Sequence, residues 1–577
     1  MFISAQSATI QARLFNRLEK DPGGRAISFY DESGRFSWYT YEQFYTRAMS
    51  YAAQLAEKGV GKGEVCLIVL PSSELSATLL LANLLLGSLP LLIAPPSIQG
   101  KGAYSNLAQI LTHVISKTRP KMVIADETMI TLQDSLNHRA KRTQFLFGQS
   151  GFSSHPDLSV PKVIPGEKDV MAMQLTSGTT GMPRVCVWKQ EAVIAALDGM
   201  AAAMRLSSED ICLNWTPLFH DMGLVNNFLL CMTSGIPLVM LSPNDFVKKP
   251  GIWLRGLHDT GSTLTWSPNF GFTITAQRVR DNELQGVRLD RVRAFYSAAE
   301  RIHYDTIQAF YERFAPIGLR YQALKTNFGC AENVGGATFS DPEGEFIVER
   351  IDRKTMLEKR IARPVEGKTD SDRMITVVGV GRPHPAMTIE ILSRTGRALP
   401  DGHVGEVGLK TPSRMIGYLG DWRANQHALY GDLLRTGDLG YLRDGELFWV
   451  GRVRERITIR GVKLDPSDFE PILLQVEGLR AGCFAAFGVD DQKQGTQHIV
   501  IVTEVRDNVN REPEEISGEI RDQVFERLGV NVSEIFLVKQ GTLTKTSSGK
   551  RRHRHFRSLY LDGKLKPFEW EPAPAGD

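Results

Sequence analysis

Residues 174–189 read QLTSGTTGMPRVCVWK, with small hydroxyl residues and glycines between two apolar, strand-like runs. Gly178 and Gly181 allow a backbone turn tight enough for N–H groups to converge on phosphate oxygens. Arg184 adds a fixed positive charge. The stretch also offers the hydroxyl groups of Thr176, Ser177, Thr179 and Thr180. This pattern predicts a phosphate-binding loop, with a simple Ser/Thr/Gly-rich hairpin as the alternative.

The loop is not of the Walker type, because the pattern GxxxxGK[ST] is absent from the sequence. Gly549 and Lys550 come closest to it, but Thr544 stands where the first glycine should be. We therefore expect a nucleotide to be held by another kind of loop.

Length and composition indicate an ordinary soluble protein of several domains. With 577 residues, 42% of them hydrophobic, the chain is too long for one compact core. Lys and Arg (68) nearly balance Asp and Glu (65), which leaves a net charge of +3 and no general attraction to nucleic acid or anionic membranes. The six scattered cysteines form no CxxC pair, and no histidine cluster has metal-ligand spacing. Buried free thiols and a cytoplasmic location are expected.

Two segments have to be compared with targeting and membrane-spanning sequences. The N-terminus meets charge early and lacks the long apolar run of a secretory signal. Residues 75–100 carry no charge and are long enough to imitate a membrane span. Proline and glycine interrupt this run, so we expect a buried helix that ends at Gly87 and a strand over 90–94, with a membrane span as the alternative.

The first half of the chain alternates helical and strand-like hydrophobic patterns. Helical spacing over 41–58 precedes a buried strand over 64–70, and the alternation repeats as far as 238–241. This predicts a layered α/β fold with parallel sheets. A second boundary is expected at 451–456, where GRVRER follows the short strand 446–450 and a smaller α/β pattern begins.

One stretch in the middle of the chain could contact a nucleotide and a metal ion. In TNFGCAE (326–332), Phe328 offers a stacking face and Gly329 permits close approach. Glu332 could hold a hard cation through oxygen. A solvated carboxylate is the alternative for a single glutamate after a strand.

Three other stretches could border the same pocket. SAAER (297–301) and TWSPNF (265–270) contain small residues against which a flat ring can lie. In NWTPLFHDMG (214–223), His220 lies where a strand gives way to a helix and could line the pocket wall. A packed histidine is the alternative for a lone His at this position.

Two polar motifs follow in the last third of the chain. RTGDLG (435–440) predicts a tight turn from which Asp438 accepts two hydrogen bonds from a ribose diol, with Arg452 near the same sugar and phosphate. Further on, Lys550 lies in a Ser-Gly turn that could swing a point charge into a cleft. It is followed by a basic cluster, usually a solvated tail, made of Arg551, Arg552, His553, Arg554, His555 and Arg557.

Six motifs, in their order along nearly the whole chain, resemble the signature set of the adenylate-forming acyl-activating enzymes. They are TSGTTGMPR, PLFHDMG, FGCAE, RTGDLG, GRVRERITIRG and KTSSGK. PLFHDMGL, SPNF and residues 349–383 most resemble the fatty acyl-AMP ligases, and the last stretch is similar to their characteristic insertion. The resemblance implies an α/β fold with a large N-terminal adenylation domain of several subdomains (1–452). A small mobile α+β C-terminal domain (453–577) would follow.

The family resemblance also implies a reaction. A fatty or related carboxylate attacks the α-phosphate of ATP and expels pyrophosphate, with Mg²⁺ as cofactor. The acyl group then passes to the phosphopantetheine thiol of an acyl carrier protein, or of a carrier domain of a polyketide or non-ribosomal peptide synthase. The basic cluster after Lys550 could steer an acidic carrier.

Residue roles follow from the same resemblance. The phosphates would be held by Thr176, Ser177, Gly178, Thr179, Thr180 and Arg184, and Mg²⁺ by Glu332. Lys550 would bridge the carboxylate and the α-phosphate, and Arg454 would be the hinge. The rest of the nucleotide would contact Ala298, Ala299, Glu300, Asn327, Phe328, Gly329, Asp438 and Arg452. The acyl tunnel would be lined by His220, Trp266, Asn269 and Phe270.

Trp266 stands where these ligases tend to have glycine, so we expect it to shorten the tunnel and select a medium-length or unusual acid. Two alternative functions remain open at this point. An acyl-CoA or aryl-CoA ligase would share every adenylation residue and differ in its acceptor. A non-catalytic nucleotide-binding regulator would keep the fold but would not need both Glu332 and Lys550. Nucleic-acid binding by the basic cluster is not expected.

Overall fold

The computed structural model describes residues 9–31, 33–96, 101–136, 142–148, 152, 165–176, 182–365, 374–459, 462–491, 496–507, 509–546, 550–565 and 567. Within these ranges the helices, in chain order, are α1 (Ile10–Lys20), α2 (Tyr41–Glu57), α3 (Glu74–Leu86), α4 (Lys101–Thr118), α5 (Ile130–Leu136), α6 (Gln190–Ala203), α7 (Leu230–Ser234), α8 (Pro243–Lys248), α9 (Gly251–Thr260), α10 (Asn269–Arg278), α11 (Tyr304–Phe314), α12 (Arg353–Lys359), α13 (Trp422–Ala428), α14 (Glu470–Leu473), α15 (Pro513–Leu528) and α16 (His553–Leu561). A π-helical segment, Met222–Leu229, leads directly into α7.

The strands of the same ranges, in chain order, are β1 (Arg25–Tyr30), β2 (Phe36–Thr40), β3 (Val65–Val69), β4 (Leu89–Leu92), β5 (Met122–Ala125), β6 (Gln144–Phe147), β7 (Val170–Leu175), β8 (Val185–Lys189), β9 (Cys212–Asn214), β10 (Leu238–Met240), β11 (Leu264–Pro268), β12 (Ala294–Ala298), β13 (Leu324–Cys330), β14 (Gly335–Phe339), β15 (Val348–Asp352), β16 (Met374–Val378), β17 (Arg382–Pro383), β18 (Thr388–Leu392), β19 (Gly405–Lys410), β20 (Gly417–Tyr418), β21 (Leu429–Tyr430), β22 (Leu433–Arg443), β23 (Glu446–Arg452), β24 (Ile457–Ile459), β25 (Val462–Leu464), β26 (Leu479–Asp491), β27 (Thr496–Val505) and β28 (Val532–Val538).

The central layer is a nine-stranded sheet in the order β17-β14-β13-β12-β11-β9-β10-β1-β2. Its inner strands, from β13 to β1, are all parallel, and the strands outside them at both edges are antiparallel. Helices and the π-helical segment cover the buried strands. The predicted α/β fold is confirmed. The carboxyl ends of β11, β12 and β13 lie at one edge, which is where open α/β sheets bind ligands.

The segment that imitates a membrane span forms α3 and β4 in the interior. Ser73 caps α3, which is buried along most of its length, and Gly87 ends it in a left-handed conformation at φ 71°. β4 then joins a four-stranded parallel sheet in the order β4-β3-β5-β6. In the part of the chain that the structure describes, we find no helix with the length and hydropathy of a membrane span.

The predicted phosphate loop connects β7 and β8, which pair antiparallel from Val170–Lys189 to Leu175–Val185. β20 adds to the far side of β8, so that Tyr418 lies opposite Cys186. The loop therefore has a fixed base on both sides. Residues 177–181, which include the predicted ligands Ser177, Gly178, Thr179 and Thr180, lie outside the described residues.

A five-stranded antiparallel sheet is built from β18, β19, β21, β22 and β23. Here the prediction of a tight turn in RTGDLG is wrong, because the motif lies inside the long strand β22. Gly437 has φ 75° and the register with β19 shifts between Glu406 and Gly408, so the motif forms a bulge rather than a turn. Asp438 consequently faces the neighbouring strand β23.

Residues 453–565, here called the C-terminal unit, have a hydrophobic core of their own. The hairpin β24-β25 and the sheet β26-β27-β28 pack with α14 and α15 around buried residues such as Phe469, Ile501 and Ile520. β26 and β27 pair antiparallel, whereas β27 and β28 are parallel.

In the predicted insertion (349–383), β15 and β16 pair antiparallel and α12 follows β15, while residues 366–373 lie outside the described residues. Leu357 of α12 packs against the core of the C-terminal unit. Arg353 donates a hydrogen bond from Nη1 to the carbonyl oxygen of Arg527 at 2.7 Å. The insertion therefore connects the five-stranded sheet to the C-terminal unit.

Candidate active site

A cavity of about 160 Å³ lies where the central sheet, the β7–β8 hairpin and the C-terminal unit meet. Ala298 and Gly329 form part of its wall at the carboxyl ends of β12 and β13, and Met222 contributes from the start of the π-helical segment. The cavity wall includes the following predicted site residues: Thr176, Arg184, His220, Ala298, Ala299, Asn327, Gly329, Glu332, Arg452, Arg454 and Lys550.

Other predicted residues lie outside this wall: Glu300, Phe328, Asp438, Trp266, Asn269 and Phe270. Phe328 is buried because its side chain points into the core from β13. Glu300 turns away from the cavity and accepts a hydrogen bond from the amide of Phe270 at 2.8 Å. Asn269 uses its Oδ1 to accept the amide N–H of His303 at 3.2 Å. These last contacts organise the start of α10 and its neighbours rather than the cavity.

The base of the phosphate loop is closed by Thr176 and Arg184. The amide of Thr176 donates to the carbonyl oxygen of Arg184 at 2.9 Å, and the Arg184 amide donates to Oγ1 of Thr176 at 3.0 Å. The Arg184 guanidinium lies 3.0 Å from Asp421 and over the ring of Tyr418. Its charge is therefore held at the cavity wall by residues far along the chain.

The candidate metal ligand Glu332 is oriented by Tyr418. The phenol O–H of Tyr418 donates to Oε1 of Glu332 at 2.7 Å. Burial and the nearby charge of Glu332 both raise the pKa of Tyr418, so the phenol stays a neutral donor. Among the described residues, no three side chains of metal-binding type form a cluster. Glu332, in the cavity wall, could contribute one oxygen ligand to a Mg²⁺ ion, which proteins commonly bind through one or two carboxylates.

Lys550 lines the cavity from the C-terminal unit. Its amide donates to Oγ1 of Thr546 at 2.9 Å, and residues 547–549, the rest of the predicted Ser-Gly turn, lie outside the described residues. Burial and the charge of Arg452 lower the pKa of the Lys550 ammonium, while Asp221 and Asp438 oppose that shift.

Arg452 and Asp438 face each other across β22 and β23. Arg452 Nε lies 3.1 Å from Asp438 Oδ1, and the same oxygen accepts the indole N–H of Trp449 at 3.1 Å. The carboxylate of Asp438 raises the pKa of Arg452 despite burial. Asp438 is 2% exposed, whereas Arg452 lines the cavity.

His220 and Asp221 form a polar pair at the start of the π-helical segment. His220 Nδ1 lies 2.8 Å from Asp221 Oδ1, and the amide of Met222 donates to the same carboxylate oxygen at 2.9 Å. Burial alone would raise the pKa of Asp221, but His220, together with Lys550, lowers it. Asp221 is thus an anion beside Lys550, although the sequence drew attention to the histidine.

The basic cluster after Lys550 does not form one basic face. Arg551 pairs with the buried Glu470, and His553 is buried with its Nδ1 accepting the amide of Ala486 at 3.1 Å. Arg557 donates to the carbonyl oxygen of Gly488 at 2.8 Å. Arg552, just before α16, and Arg554 on α16 are half-buried.

The C-terminal unit is held against the large part of the chain by ion pairs that sequence patterns did not reveal. Arg301, the last residue of SAAER, pairs with Asp468 and donates to Oγ of Ser467 at 3.1 Å. His303 Nε2 lies 3.0 Å from Glu470. More than 160 residues separate these partners, so no local motif signals them.

Comparison with known proteins assigns the family. Residues 14–419 match the family described as AMP-binding enzyme. The medium-chain-fatty-acid–[acyl-carrier-protein] ligase JamA of Moorena producens is 30% identical over 69% of this chain and 69% of its own. The putative fatty-acid–CoA ligase fadD25 of Mycobacterium tuberculosis is 26% identical over 97% of this chain and 98% of its own.

A solved structure from a study of fatty acyl-adenylate ligases of E. coli and L. pneumophila superposes with a TM-score of 0.88 at 25% identity. It covers 98% of this chain and 99% of the solved chain. The match extends from the central sheet to the C-terminal unit, so the whole described architecture is shared. The chain therefore belongs to the AMP-binding enzyme family, as an enzyme of the acyl-adenylate-forming ligases.

Proposed function

We propose that this protein joins a fatty or related carboxylic acid to AMP, with release of pyrophosphate from ATP, and passes the acyl group to a carrier-protein thiol. The observation that carries the first step is the position of Lys550, inside the cavity with Arg452 and within the electrostatic reach of Asp221. A regulator that only senses nucleotide has no need for a lysine delivered into the site together with the Glu332–Tyr418 pair.

The first step places a carboxylate in line with the α-phosphate, so that negative charge grows on the phosphate oxygens and on the leaving pyrophosphate. Lys550 neutralises charge between the carboxylate and the α-phosphate. Arg184, fixed by Asp421, neutralises charge on the leaving group at the base of the phosphate loop. Both groups are preorganised, which avoids reorganisation during the reaction.

The nucleotide is held by the wall opposite Lys550. Ala298, Ala299 and Gly329 leave room for a flat purine against the strand ends. Arg452, released from Asp438, would turn to a phosphate, and Asp438 would then accept the ribose hydroxyls. Glu332 would hold Mg²⁺, which when bound neutralises charge on the phosphate oxygens.

Transfer of the acyl group requires a second arrangement of the site, because Lys550 occupies the cavity that a thiol must reach. We propose that residues 453–577 move as a domain relative to 1–452 and that Arg454 is the hinge. Arg454 lies in the turn directly after β23, where two backbone hydrogen bonds, Val453 to Gly437 and Glu455 to Arg452, flank it.

For the acceptor we favour a phosphopantetheine thiol on a carrier protein over free CoA. JamA is named for a carrier protein, and the insertion of this chain contacts the C-terminal unit through Leu357 and Arg353. These contacts have to loosen before either thiol can reach the cavity, so the preference for a carrier rests on the likeness to JamA. A CoA ligase is the second candidate, because fadD25 carries that name. Arg552 and Arg554 are the remaining basic residues for docking an acidic carrier.

Two assays test these steps separately. Hydroxylamine trapping with ATP, Mg²⁺ and a panel of fatty and aromatic acids should reveal adenylate formation. The preformed adenylate is then offered to a phosphopantetheinylated carrier or to excess CoA. We expect salt-sensitive acylation of the carrier, negligible acyl-CoA, and weaker transfer for Arg552→Glu with Arg554→Glu. Efficient acyl-CoA synthesis would instead establish the CoA ligase, and absence of any hydroxamate would overturn adenylation.

A further inference from the structure

Two stacked aromatic residues deep in the central sheet carry polar atoms without partners. Trp266 on β11 and Tyr296 on β12 lie with ring centroids 4.8 Å apart and ring planes 20° apart. They are 1% and 0% exposed, respectively. Neither the indole N–H of Trp266 nor the hydroxyl of Tyr296 has a hydrogen-bond partner among the described residues.

The strand register places this pair close to Ala298, a residue of the cavity wall. Trp266 pairs with Tyr296, and two residues further on Pro268 pairs with Ala298, which lines the cavity. Because side chains two apart on a strand share a face, Tyr296 lies on the same side of the sheet as Ala298. The separation along the strand is about 7 Å, at roughly 3.3 Å per residue.

A second line of contacts joins the pair to the cavity. The ring of Phe339 on β14 packs edge-to-face on Tyr296, with centroids 5.8 Å apart. Phe339 lies opposite Asn327 in the register of β13 and β14, and Asn327 lines the cavity. Asn327 and Phe339 therefore lie between the cavity and the Tyr296–Trp266 pair along the sheet.

Unpartnered polar atoms at this depth are unusual, because burying an N–H or O–H without a hydrogen bond costs about 1–3 kcal/mol. Burial also raises the pKa of Tyr296, so its hydroxyl is a neutral donor. At position 296 phenylalanine would fill the same space without that cost. Two unpartnered donors side by side, on the face of the sheet that Ala298 shares, point to a ligand that carries the acceptor.

We propose, resting on the proposed function, that the acid activated by this enzyme has a short chain with a hydrogen-bond-accepting oxygen at its far end, held by Trp266 and Tyr296. The carboxylate lies at Lys550, and the chain runs past Ala298 and Asn327. The oxygen, as a hydroxyl or a carbonyl, accepts the hydrogen bonds that the indole and phenol lack in the free protein. The stacked rings close the path beyond this point and exclude a long alkyl chain.

The test compares matched acids. Adenylate formation is measured by hydroxylamine trapping for straight-chain acids of increasing length and for the corresponding acids with a terminal hydroxyl or keto oxygen. We expect the wild-type enzyme to prefer the oxygenated acid of one short length by about tenfold or more in kcat/KM, the value of one well-made hydrogen bond. Tyr296→Phe keeps the ring and removes the hydroxyl, Trp266→Phe replaces the indole by a smaller ring without a donor, and each should bring that ratio down toward one.

Ser297→Ala is the matched control. Its hydroxyl is also buried without a partner among the described residues, but it lies on the opposite face of β12. The ratio should therefore stay at the wild-type value in this variant. A ratio that survives Tyr296→Phe and Trp266→Phe, or a preference for long plain acids, would overturn the inference while leaving adenylation intact. Failure to form adenylate with every acid would overturn the proposed function as well.

Discussion

Arg452 reaches across two antiparallel strands and places its Nε 3.1 Å from the Asp438 carboxylate. Asp438 is buried, while Arg452 lines the cavity. In the proposed function Asp438 binds the ribose and Arg452 binds a phosphate. We expect these two contacts to be coupled, because the two side chains already bind each other in the protein without nucleotide.

Asp438→Asn tests that coupling, because the amide keeps the shape and removes the charge. We expect the KM for ATP to rise by about 10–100-fold, the range for losing a hydrogen bond to a charged group. The ribose contact is isolated by comparing ATP with 2′,3′-dideoxy-ATP. Wild type should discriminate between them and Asp438→Asn should not. Asp432→Asn serves as the control, because Asp432 is exposed and directly precedes β22. Retained discrimination in Asp438→Asn would remove the ribose assignment.

The alkaline limb of the pH–rate profile for adenylation should reflect loss of the Lys550 proton. Its pKa is lowered by burial and by Arg452, so the ammonium loses its proton at lower pH than an ordinary lysine. Activity that requires the charged form is therefore full at neutral pH and falls as pH rises through the lowered pKa. In Lys550→Arg, whose guanidinium stays protonated, this limb should move to higher pH or disappear. A limb at the same pH in both enzymes would assign it to another group.

Arg454→Pro should separate the two half-reactions. Proline fixes φ at the proposed hinge, which hinders the reorientation needed for transfer while leaving the arrangement described here in place. We expect near-normal adenylate formation from acid and ATP, and a loss of carrier acylation when purified adenylate is supplied. Arg454→Ala removes the side chain without fixing the backbone and should transfer better than the proline variant. Equal loss in both steps would contradict a hinge.

Stability at acid pH should depend on His384. This ring is buried without a partner for either nitrogen among the described residues, and burial lowers its pKa to about 4. The folded protein keeps it neutral while the unfolded chain protonates it below about 6.5. The free energy of unfolding is thus fully retained above that pH and falls as pH drops toward 4, by up to about 1.4 kcal/mol per pH unit.

His384→Leu should flatten this decline, measured as urea unfolding between those pH values. His258→Leu, at an exposed histidine, should leave the slope as in the wild type. An unchanged slope in His384→Leu would show that other groups, such as the buried His553, account for the acid sensitivity.

Local patterns in the sequence predicted much of the fold but little of what orients the site. The βα alternation, the end of α3 at Gly87 and the hairpin of 174–189 follow from hydrophobic spacing and glycine, which act over a few residues. The Arg184–Asp421 and Glu332–Tyr418 contacts join residues 237 and 86 positions apart. Both contacts depend on the pairing of β20 with β8. A strand of two residues is too short to show a hydrophobic pattern in the sequence.

Errors in the prediction have a common physical origin. RTGDLG contains the residues of a turn, yet pairing of β22 with β19 and β23 absorbs them into a bulged strand. The run after Lys550 looked like a solvated tail, yet Arg551 and His553 point into the interior because α16 packs on β26. In both cases tertiary contacts determined the outcome of an ambiguous local signal.

Product analysis in a single turnover tests the account most directly. The enzyme, ATP, Mg²⁺ and a panel of acids are mixed, and nucleotides are identified by mass spectrometry. We predict acyl-AMP and pyrophosphate in equal amounts, a rate about 10²–10³-fold lower for Lys550→Ala, and a normal rate for Lys539→Ala, at an exposed lysine of the same unit. Formation of ADP and acyl phosphate, or a Lys550→Ala rate equal to that of wild type, would contradict it.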